Sequence, residues 1–160
     1  VHQTCTGVHR FGAHPSGLLP ETDRTACHNG PINPERKTIM TLNEIANALV
    51  AGCRSGDTKP NLDRLYAADA VSVEPVDFGD GREAQGLDAI KGKHDWWDSA
   101  FEVLGGSISD PMPHGDDRFA VIFEMQTKNK ETGAVEDMKE VGVYHVAEGK
   151  ITREEFFYAP

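Results

Sequence analysis

The feature that most constrains the fold is the C-terminal third of the chain, where three long segments of alternating polarity are joined by two short turns. The segments cover residues 119–128, 135–146 and 150–158. The joins, at 130–133 and 147–149, are of hairpin length and each contains glycine. Segments joined this tightly pair as antiparallel neighbours. The sequence therefore predicts a meander sheet here, with a further strand over 103–108.

Helical patterns dominate the region before this sheet. Thr41 and Glu44 form a capping box, and apolar residues then recur at helical spacing as far as Cys53. Asn61 is placed to cap a short second helix, and the pattern predicts a third helix over 87–101. A strand is predicted over 71–75. Helices followed by a meander predict an α+β domain with three N-terminal helices on the concave face of a curved antiparallel or mixed sheet.

The turn lengths also predict the register of the meander. A four-residue loop at 130–133 sets Phe119 opposite Tyr144, and a three-residue turn at 147–149 sets Glu140 opposite Phe156. One face of the sheet then collects Phe119, Val121, Phe123, Met125, Met138, Tyr144, Phe156 and Tyr158, together with Glu140 and Glu154. The helices are expected to cover this face, since its exposure would leave a large apolar patch.

The opposite face of the predicted sheet is mixed in character. It carries Ala120, Ile122, Glu124, Gln126, Val141, Val143, His145, Arg153 and Glu155. Such a surface suits solvent or a subunit contact, and we expect a homodimer.

Glu140 is the anomaly on the aromatic face. A carboxylate between Phe123 and Phe156 loses its water, which raises its pKa and makes it a candidate proton carrier near neutral pH. The alternative is that Glu140 accepts hydrogen bonds from a tyrosine or a backbone amide and only braces the sheet.

Two further polar residues interrupt apolar helical stripes. His94 shares a stripe with Leu87, Ile90 and Trp97, which places it either at the edge of the core or facing a cavity. Cys53 continues the stripe of the first helix and is expected to be a buried, protonated thiol.

Residues 1–39 differ in composition from the rest of the chain. They hold four of the seven histidines and show neither helical nor strand periodicity. We expect a translated upstream extension or disordered tail, with Met40 as the natural start; an ordered arm is the second interpretation. The third is a metal site built from Cys5, His9, His14, Cys27 and His28, whose spacings match no common zinc pattern.

Charge and composition exclude several classes of protein. The formal net charge of −10 disfavours nucleic acid or an anionic membrane surface as the main partner. No apolar run approaches the roughly 18 residues of a membrane span. The three cysteines are odd in number and widely spaced, which favours reduced thiols and a cytoplasmic location.

Four short motifs carry a family resemblance. They are Leu-Tyr-Ala-Ala-Asp-Ala-Val at 65–71, Glu74-Pro75, Gly-Leu-Asp-Ala-Ile at 86–90, and Gly-Lys-Ile-Thr-Arg-Glu-Glu-Phe-Phe-Tyr at 149–158. In this order and spacing, residues 40–160 resemble the SnoaL-like polyketide cyclases of the nuclear-transport-factor-2-like superfamily, which includes ketosteroid isomerases. The resemblance implies a cone-shaped domain over 40–160, with a pocket between a bent sheet and its helices.

The resemblance also implies roles for individual residues. In the isomerases the base carboxylate immediately precedes a proline after the first strand, which is the place of Glu74. Their protonated aspartate falls at Gly142, two residues after Glu140 on the same face. Glu74 is thus the candidate base and Glu140 the candidate acid, with Tyr144 and His94 as hydrogen-bond donors. The expected lining of the pocket is Trp97, Phe119, Phe123, Glu154, Phe156 and Tyr158.

These residues together predict an enzyme without metal or cofactor, acting by proton transfer on a small, largely apolar molecule that bears a carbonyl, epoxide or hydroxyl group. The reaction would be an isomerisation, cyclisation, dehydration or hydration. The alternatives are a non-catalytic ligand-binding or dimerisation domain and a protein-interaction adaptor. Enzyme and ligand binder both require an enclosed cavity on the order of several hundred cubic ångströms, whereas an adaptor does not.

Overall fold

The predicted helices and the predicted meander are all present in the computed structural model, which describes residues 39–77, 79 and 81–158. The expectations for residues 1–38, namely a tail, an arm or a metal site, lie outside the described residues. The described helices are α1 (Leu42–Ser55), α2 (Lys59–Leu65) and α3 (Leu87–Ala100). None of them is long and apolar enough to cross a membrane.

The first helix begins and ends where its sequence dictates. The Thr41 hydroxyl accepts a hydrogen bond from the Glu44 amide at 3.3 Å, and the Glu44 carboxylate accepts one from the Thr41 amide at 2.8 Å. This reciprocal pair satisfies two amides that the helix itself leaves free. Gly56 ends the helix with a φ of 73°, a left-handed conformation that glycine adopts without steric cost.

The second helix starts earlier than predicted. Thr58, not Asn61, is the capping residue, and Pro60 lies in the first turn, where the absence of an amide hydrogen carries no penalty. The side-chain amide of Asn61 instead donates to the carbonyl of Ala48 at 3.0 Å and so ties α2 to α1.

Seven strands form one curved, mixed sheet. In chain order they are β1 (Tyr66–Val73), β2 (Glu83–Gln85), β3 (Phe101–Ile108), β4 (Met112–His114), β5 (Arg118–Asn129), β6 (Val135–Ala147) and β7 (Lys150–Phe157). The spatial order is β2-β1-β7-β6-β5-β3, with β4 also paired to β5. β1 runs parallel to β7 and the other pairs are antiparallel. The predicted α+β class with three helices and a mixed, curved sheet is confirmed.

The sequence pattern missed two short strands. β2 lies inside the segment 77–86, which reads as a loop, and β4 lies in the proline-rich segment 110–114. Both contain only three residues, too few for alternation to be visible.

The predicted register holds between β5 and β6 and fails between β6 and β7. Phe119 pairs with Tyr144 and Phe123 with Glu140, as the loop length predicted. The last turn, however, has two residues rather than three: Glu148 and Gly149, with φ values of 52° and 73°. This turn and an adjacent bulge set Glu154 opposite Tyr144.

The register error leaves the two faces of the sheet unchanged. Gly142 pairs with Phe156 rather than Glu154, a displacement of two residues, and side chains alternate with a period of two. Glu140 therefore lies one residue beyond the last β6–β7 pair, Val141 with Phe157, and not opposite Phe156 as predicted.

The helices cover the aromatic face of the sheet, here called the covered face. Its buried sheet residues include Phe119, Val121, Phe123, Tyr144 and Glu154, and the helices contribute Ile45, Ala46, Leu49, Val50, Leu62, Leu65 and Ile90. Phe119 and Tyr144 stack with ring centroids 5.0 Å apart. The mixed residues of β5, β6 and β7 lie on the outer face, and the expected homodimer contact there stays a prediction.

Gly142 is required by the ring of Tyr144. A methyl group on Gly142 would lie 2.9 Å from both Cε2 and the hydroxyl oxygen of Tyr144, whose ring is buried and cannot turn away freely. We expect Gly142→Ala to lower the free energy of unfolding by about 1–3 kcal/mol, as overpacking does. Urea-induced unfolding followed by circular dichroism measures this change.

The matched control is Gly105→Ala in β3, because a methyl group there meets nothing within 4 Å. This variant should unfold close to the wild type. Equal stability of the two variants would contradict the packing argument.

Candidate functional site

A lysine of α3 lies at the centre of the polar residues on the covered face. The Lys93 ammonium donates to Glu74 Oε1 at 2.5 Å and to the Ser72 hydroxyl at 2.6 Å. It lies 4.2 Å above the centre of the Phe156 ring, a favourable position for a cation. Glu154 Oε1 is 3.8 Å away. One ammonium thus faces two carboxylates, a hydroxyl and an aromatic ring.

Glu74 stands at the end of β1, where Pro75 interrupts the strand. Its Oε1 accepts from Lys93, and its Oε2 accepts from the Tyr158 hydroxyl at 2.9 Å. The Glu74 and Lys93 side chains are 18% and 26% exposed. Solvent, and hence a small molecule, can reach this ion pair. The hydrogen bond to Glu74 and the loss of hydration together raise the pKa of Tyr158 above its ordinary range, with burial the larger cause.

Glu154 is the most deeply buried acid of the site, at 1% exposure. Its Oε2 accepts from the Tyr66 hydroxyl at 2.5 Å, while its Oε1 has no hydrogen-bond partner among the described residues. The parallel pairing of β1 with β7 sets Ser72 beside Glu154. Burial, followed by the charge of Glu154, raises the pKa of Tyr66 well above its ordinary value, so Tyr66 stays a hydrogen-bond donor.

Glu140 is half-buried on β6. Burial raises its pKa to about 7; the charge of Glu74 acts in the same direction, Lys93 acts against it and Glu154 adds to the rise. The carboxyl group of Glu140 makes no hydrogen bond to any described residue. The pKa of Glu140 thus lies near neutrality, and its carboxyl group is within electrostatic range of the Glu74–Lys93 pair.

Three other titratable side chains border these acids. Burial lowers the pKa of His94, so its imidazole is neutral at neutral pH. Burial, then the charge of Glu154, raises the pKa of Tyr144 well above its usual value. Burial likewise raises the pKa of Cys53 to about 11, in line with the protonated thiol expected from its helical position.

The predicted site residues divide into three groups. Glu74, Glu154, Phe156 and Tyr158 meet at Lys93, directly or through one side chain. Glu140, His94 and Tyr144 lie within electrostatic range of this group. The three aromatic residues Trp97, Phe119 and Phe123 pack against other side chains. The rings of Trp97 and Phe101 stack with their centroids 4.6 Å apart, and Phe119 and Phe123 are buried in the core.

Glu154 differs from its predicted role as part of the pocket wall. Its carboxylate lies behind Lys93 and accepts a hydrogen bond from Tyr66. The bulge after the last turn places Glu154 opposite the buried Tyr144.

Two hollows in the described part of the surface lie away from these acids. One, of about 440 Å³, is formed by Gly105, Gly106, Ser107, Glu124, Met125, Gln126, Asp137, Met138 and Lys139. A second, of about 170 Å³, is formed by Phe101, Thr127, Asn129, Thr132, Ala134 and Glu136. Neither touches Glu74, Glu140 or Glu154, so neither is the enclosed cavity expected between sheet and helices. Glu74, Lys93 and Glu140 are partly exposed to solvent, whereas Glu154 is buried.

Over the described part of the chain, no group of three His, Cys, Asp or Glu side chains is arranged to hold a metal ion. The chemistry available at this site is that of carboxyl, ammonium and hydroxyl groups.

Lys93, Ser72 and Tyr66 are the residues that sequence reasoning missed. Lys93 follows the buried Ile90 by three positions and adjoins His94, so helical spacing places it on the covered face. That spacing is the signal that could have identified it.

Comparison with known proteins gives one family. The family model of the SnoaL-like domain matches residues 40–158. A crystal structure from Mesorhizobium loti, described as a SnoaL-like polyketide cyclase and, in brackets, as a carbohydrate phosphatase, shares 37% sequence identity. The match covers 74% of this chain and 100% of that chain with a TM-score of 0.69. No curated protein matches.

Two more distant structures share the fold alone. A nuclear-transport-factor-2-like protein from Burkholderia thailandensis is 17% identical over 73% of this chain and 89% of its own, with a TM-score of 0.64. A protein from Bacillus subtilis described as an isomerase is 20% identical over 73% of this chain and 85% of its own, with a TM-score of 0.60.

Glu140 should make stability depend on pH. A carboxyl with a pKa of about 7 in the folded state and about 4.5 when unfolded makes the fold lose stability as the pH rises from 4.5 to 7. Glu140→Gln removes this loss. We expect the variant to match the wild type at pH 4 and to exceed its free energy of unfolding at pH 8 by about 1–3 kcal/mol. Urea unfolding at both pH values measures the difference.

Glu124→Gln is the control, since Glu124 is exposed and paired with Lys139 at 2.5 Å, and this bond lowers its pKa. Glu124→Gln should not stabilise the protein at pH 8. A Glu140→Gln variant no more stable at pH 8 than the wild type would show that Glu140 stays hydrated.

Proposed function

Because the chain belongs to the SnoaL-like domain family, we propose that it is a cofactor-independent acid–base enzyme acting on a small, largely apolar molecule. The observation that carries the proposal is the partly exposed Glu74–Lys93 ion pair on the covered face, with Glu140 within range of its charges. The Mesorhizobium loti relative, described as a SnoaL-like polyketide cyclase, supports the same class of chemistry.

Glu74 is the proposed base. Lys93 and Tyr158 hold one oxygen each, which fixes the plane of the carboxylate. Each oxygen of a carboxylate can accept more than one hydrogen bond, so both keep capacity for a substrate proton. Lys93 acts as a positioning residue in this arrangement, because it orients Glu74 rather than touching the reacting atoms.

Glu140 is the proposed acid. With a pKa of about 7, about half of the molecules carry its proton at neutral pH. Proton donors work best when their pKa lies near the operating pH. A protonated Glu140 donates a hydrogen bond, or the proton itself, to a substrate oxygen while Glu74 removes a proton from carbon. The electron pair of the broken C–H bond moves toward that oxygen.

The wall around the two acids suits an apolar substrate. Phe156 and Tyr158 are half-buried beside the ion pair and offer aromatic surface with one hydroxyl group. His94 and Tyr144 remain the proposed hydrogen-bond donors further inside. The expected substrate carries a carbonyl, epoxide or hydroxyl group on a compact apolar body.

A non-catalytic ligand-binding domain is the second candidate. The observation that favours it is the position of the two hollows, which lie apart from the acids. Such a domain would bind the same class of molecule and release it unchanged.

An assay of proton transfer with a panel of small molecules distinguishes the enzyme from the ligand-binding domain. The panel contains unsaturated ketones, 1,3-dicarbonyl compounds, epoxides and secondary alcohols, incubated in D₂O and followed by proton NMR. We expect deuterium exchange or double-bond migration for at least one class. Glu74→Gln and Glu140→Gln should each lower that rate by about 10²–10⁴-fold, the usual contribution of a positioned acid or base. The wild-type rate should fall above about pH 7, where Glu140 loses its proton.

Glu124→Gln serves again as the control and should keep the full rate, since Glu124 is exposed on the outer face. If the Glu74 and Glu140 variants keep the wild-type rate, the assignment of acid and base is wrong. Panel compounds that bind without any turnover identify the ligand-binding domain.

A further inference from the structure

The second carboxylate near Lys93 has no role in the proposed reaction. Glu154 is 1% exposed, is held by Tyr66 through Oε2, and points its Oε1 toward Lys93 at 3.8 Å. That oxygen has no hydrogen-bond donor among the described residues. A buried, unsatisfied acceptor is costly, and here a strong acceptor stays free beside the Lys93 ammonium.

We propose that Glu154 is a second docking position for the Lys93 ammonium, which moves there from Glu74 when Glu74 takes up a proton. This inference rests on the proposed role of Glu74 as the base and adds Glu154 and Tyr66 as positioning residues.

The distances make the movement small. A charge-assisted hydrogen bond between ammonium and carboxylate is about 2.7–2.9 Å long, so a shift of about 1 Å brings Lys93 from 3.8 Å to bonding distance of Glu154 Oε1. The side chain of lysine has four rotatable bonds, and Ser72 lies beside Glu154 on the neighbouring strand. Lys93 can therefore keep its bond to Ser72 during the shift.

The charges determine the direction in which the Lys93 ammonium moves. A proton that leaves the substrate carbon for a Glu74 oxygen neutralises that carboxylate, while its electron pair stays on the substrate and Lys93 keeps all its protons. The attraction between the opposite charges of Lys93 and Glu74 is then lost, and Glu154 is the nearest remaining carboxylate of the described residues. The shift keeps the ammonium paired, which avoids a half-buried charge without a partner.

Tyr66 prepares this second position. Its hydroxyl bonds only Oε2 of Glu154, which fixes the carboxylate with Oε1 toward α3. Among the described residues, the other charged or titratable groups around the pair are Cys53 on α1, His94 on α3, Glu140 and Tyr144 on β6, Tyr158 after β7 and Arg82, which binds the Glu74 carbonyl.

The test is a crystal structure of Glu74→Gln, which mimics the protonated base, beside the wild type at pH 8. We expect the distance from Lys93 Nζ to Glu154 Oε1 to fall from 3.8 Å to about 2.8 Å. Tyr158→Phe removes the other partner of Glu74 without changing its charge, and in this control Lys93 should stay on Glu74. In Glu74→Gln/Glu154→Gln, Lys93 should turn toward solvent.

A Glu74→Gln structure in which Lys93 stays more than 3.5 Å from Glu154 overturns the proposal. If that variant does not fold, Glu74→Ala gives the same reading, because it also removes the charge of Glu74 and leaves Glu154 as the partner of Lys93. A structure of Glu74→Ala in which Lys93 points to solvent overturns the proposal. None of these readings depends on turnover, so they stand apart from the test of the enzyme.

Discussion

The arrangement of charge on the covered face depends on one ammonium group. Glu74 and Glu154 both face Lys93, and Glu140 lies within range of their charges. Like charges gathered out of water repel one another strongly, and the positive charge of Lys93 offsets this repulsion. The packing of α3 against β1 thus determines the chemistry, because it brings the cation to the end of the strand that carries Glu74.

The sheet was predictable where local rules decide it. Loop length and alternation were sufficient for the β5–β6 register, including the pair Phe123 with Glu140. The β6–β7 register failed because a two-residue turn and a bulge replace a longer turn, and alternation cannot detect a displacement of two residues. The face of Glu140 and its neighbour Phe123 on β5 were therefore predicted correctly, whereas its predicted neighbour on β7, Phe156, was wrong. Glu140 lies at the level of Tyr158 rather than Phe156.

The centre of the site was not predictable from pattern alone. A lysine on an amphipathic helix is ordinarily solvated, and only long-range contacts distinguish Lys93 from Lys91, whose ammonium binds the exposed Asp63. The parallel pairing of β1 with β7, which brings Ser72 to Glu154, joins segments about eighty residues apart. Local periodicity carries no information on such a pairing.

The absence of a side chain at Gly142 explains how this fold can hold a set of acids that differs from the set in the isomerases. Resemblance to the isomerases places their protonated aspartate at this position, yet any side chain at 142 would overlap the ring of Tyr144. That ring stacks on Phe119 and fills the interior, which leaves no room for a carboxyl group there. The next position of β6 on the same face towards its start is Glu140, the residue that we propose as the proton donor. Glu140 is half-buried whereas Gly142 is buried, and this partial burial raises the pKa of its carboxyl group to about 7.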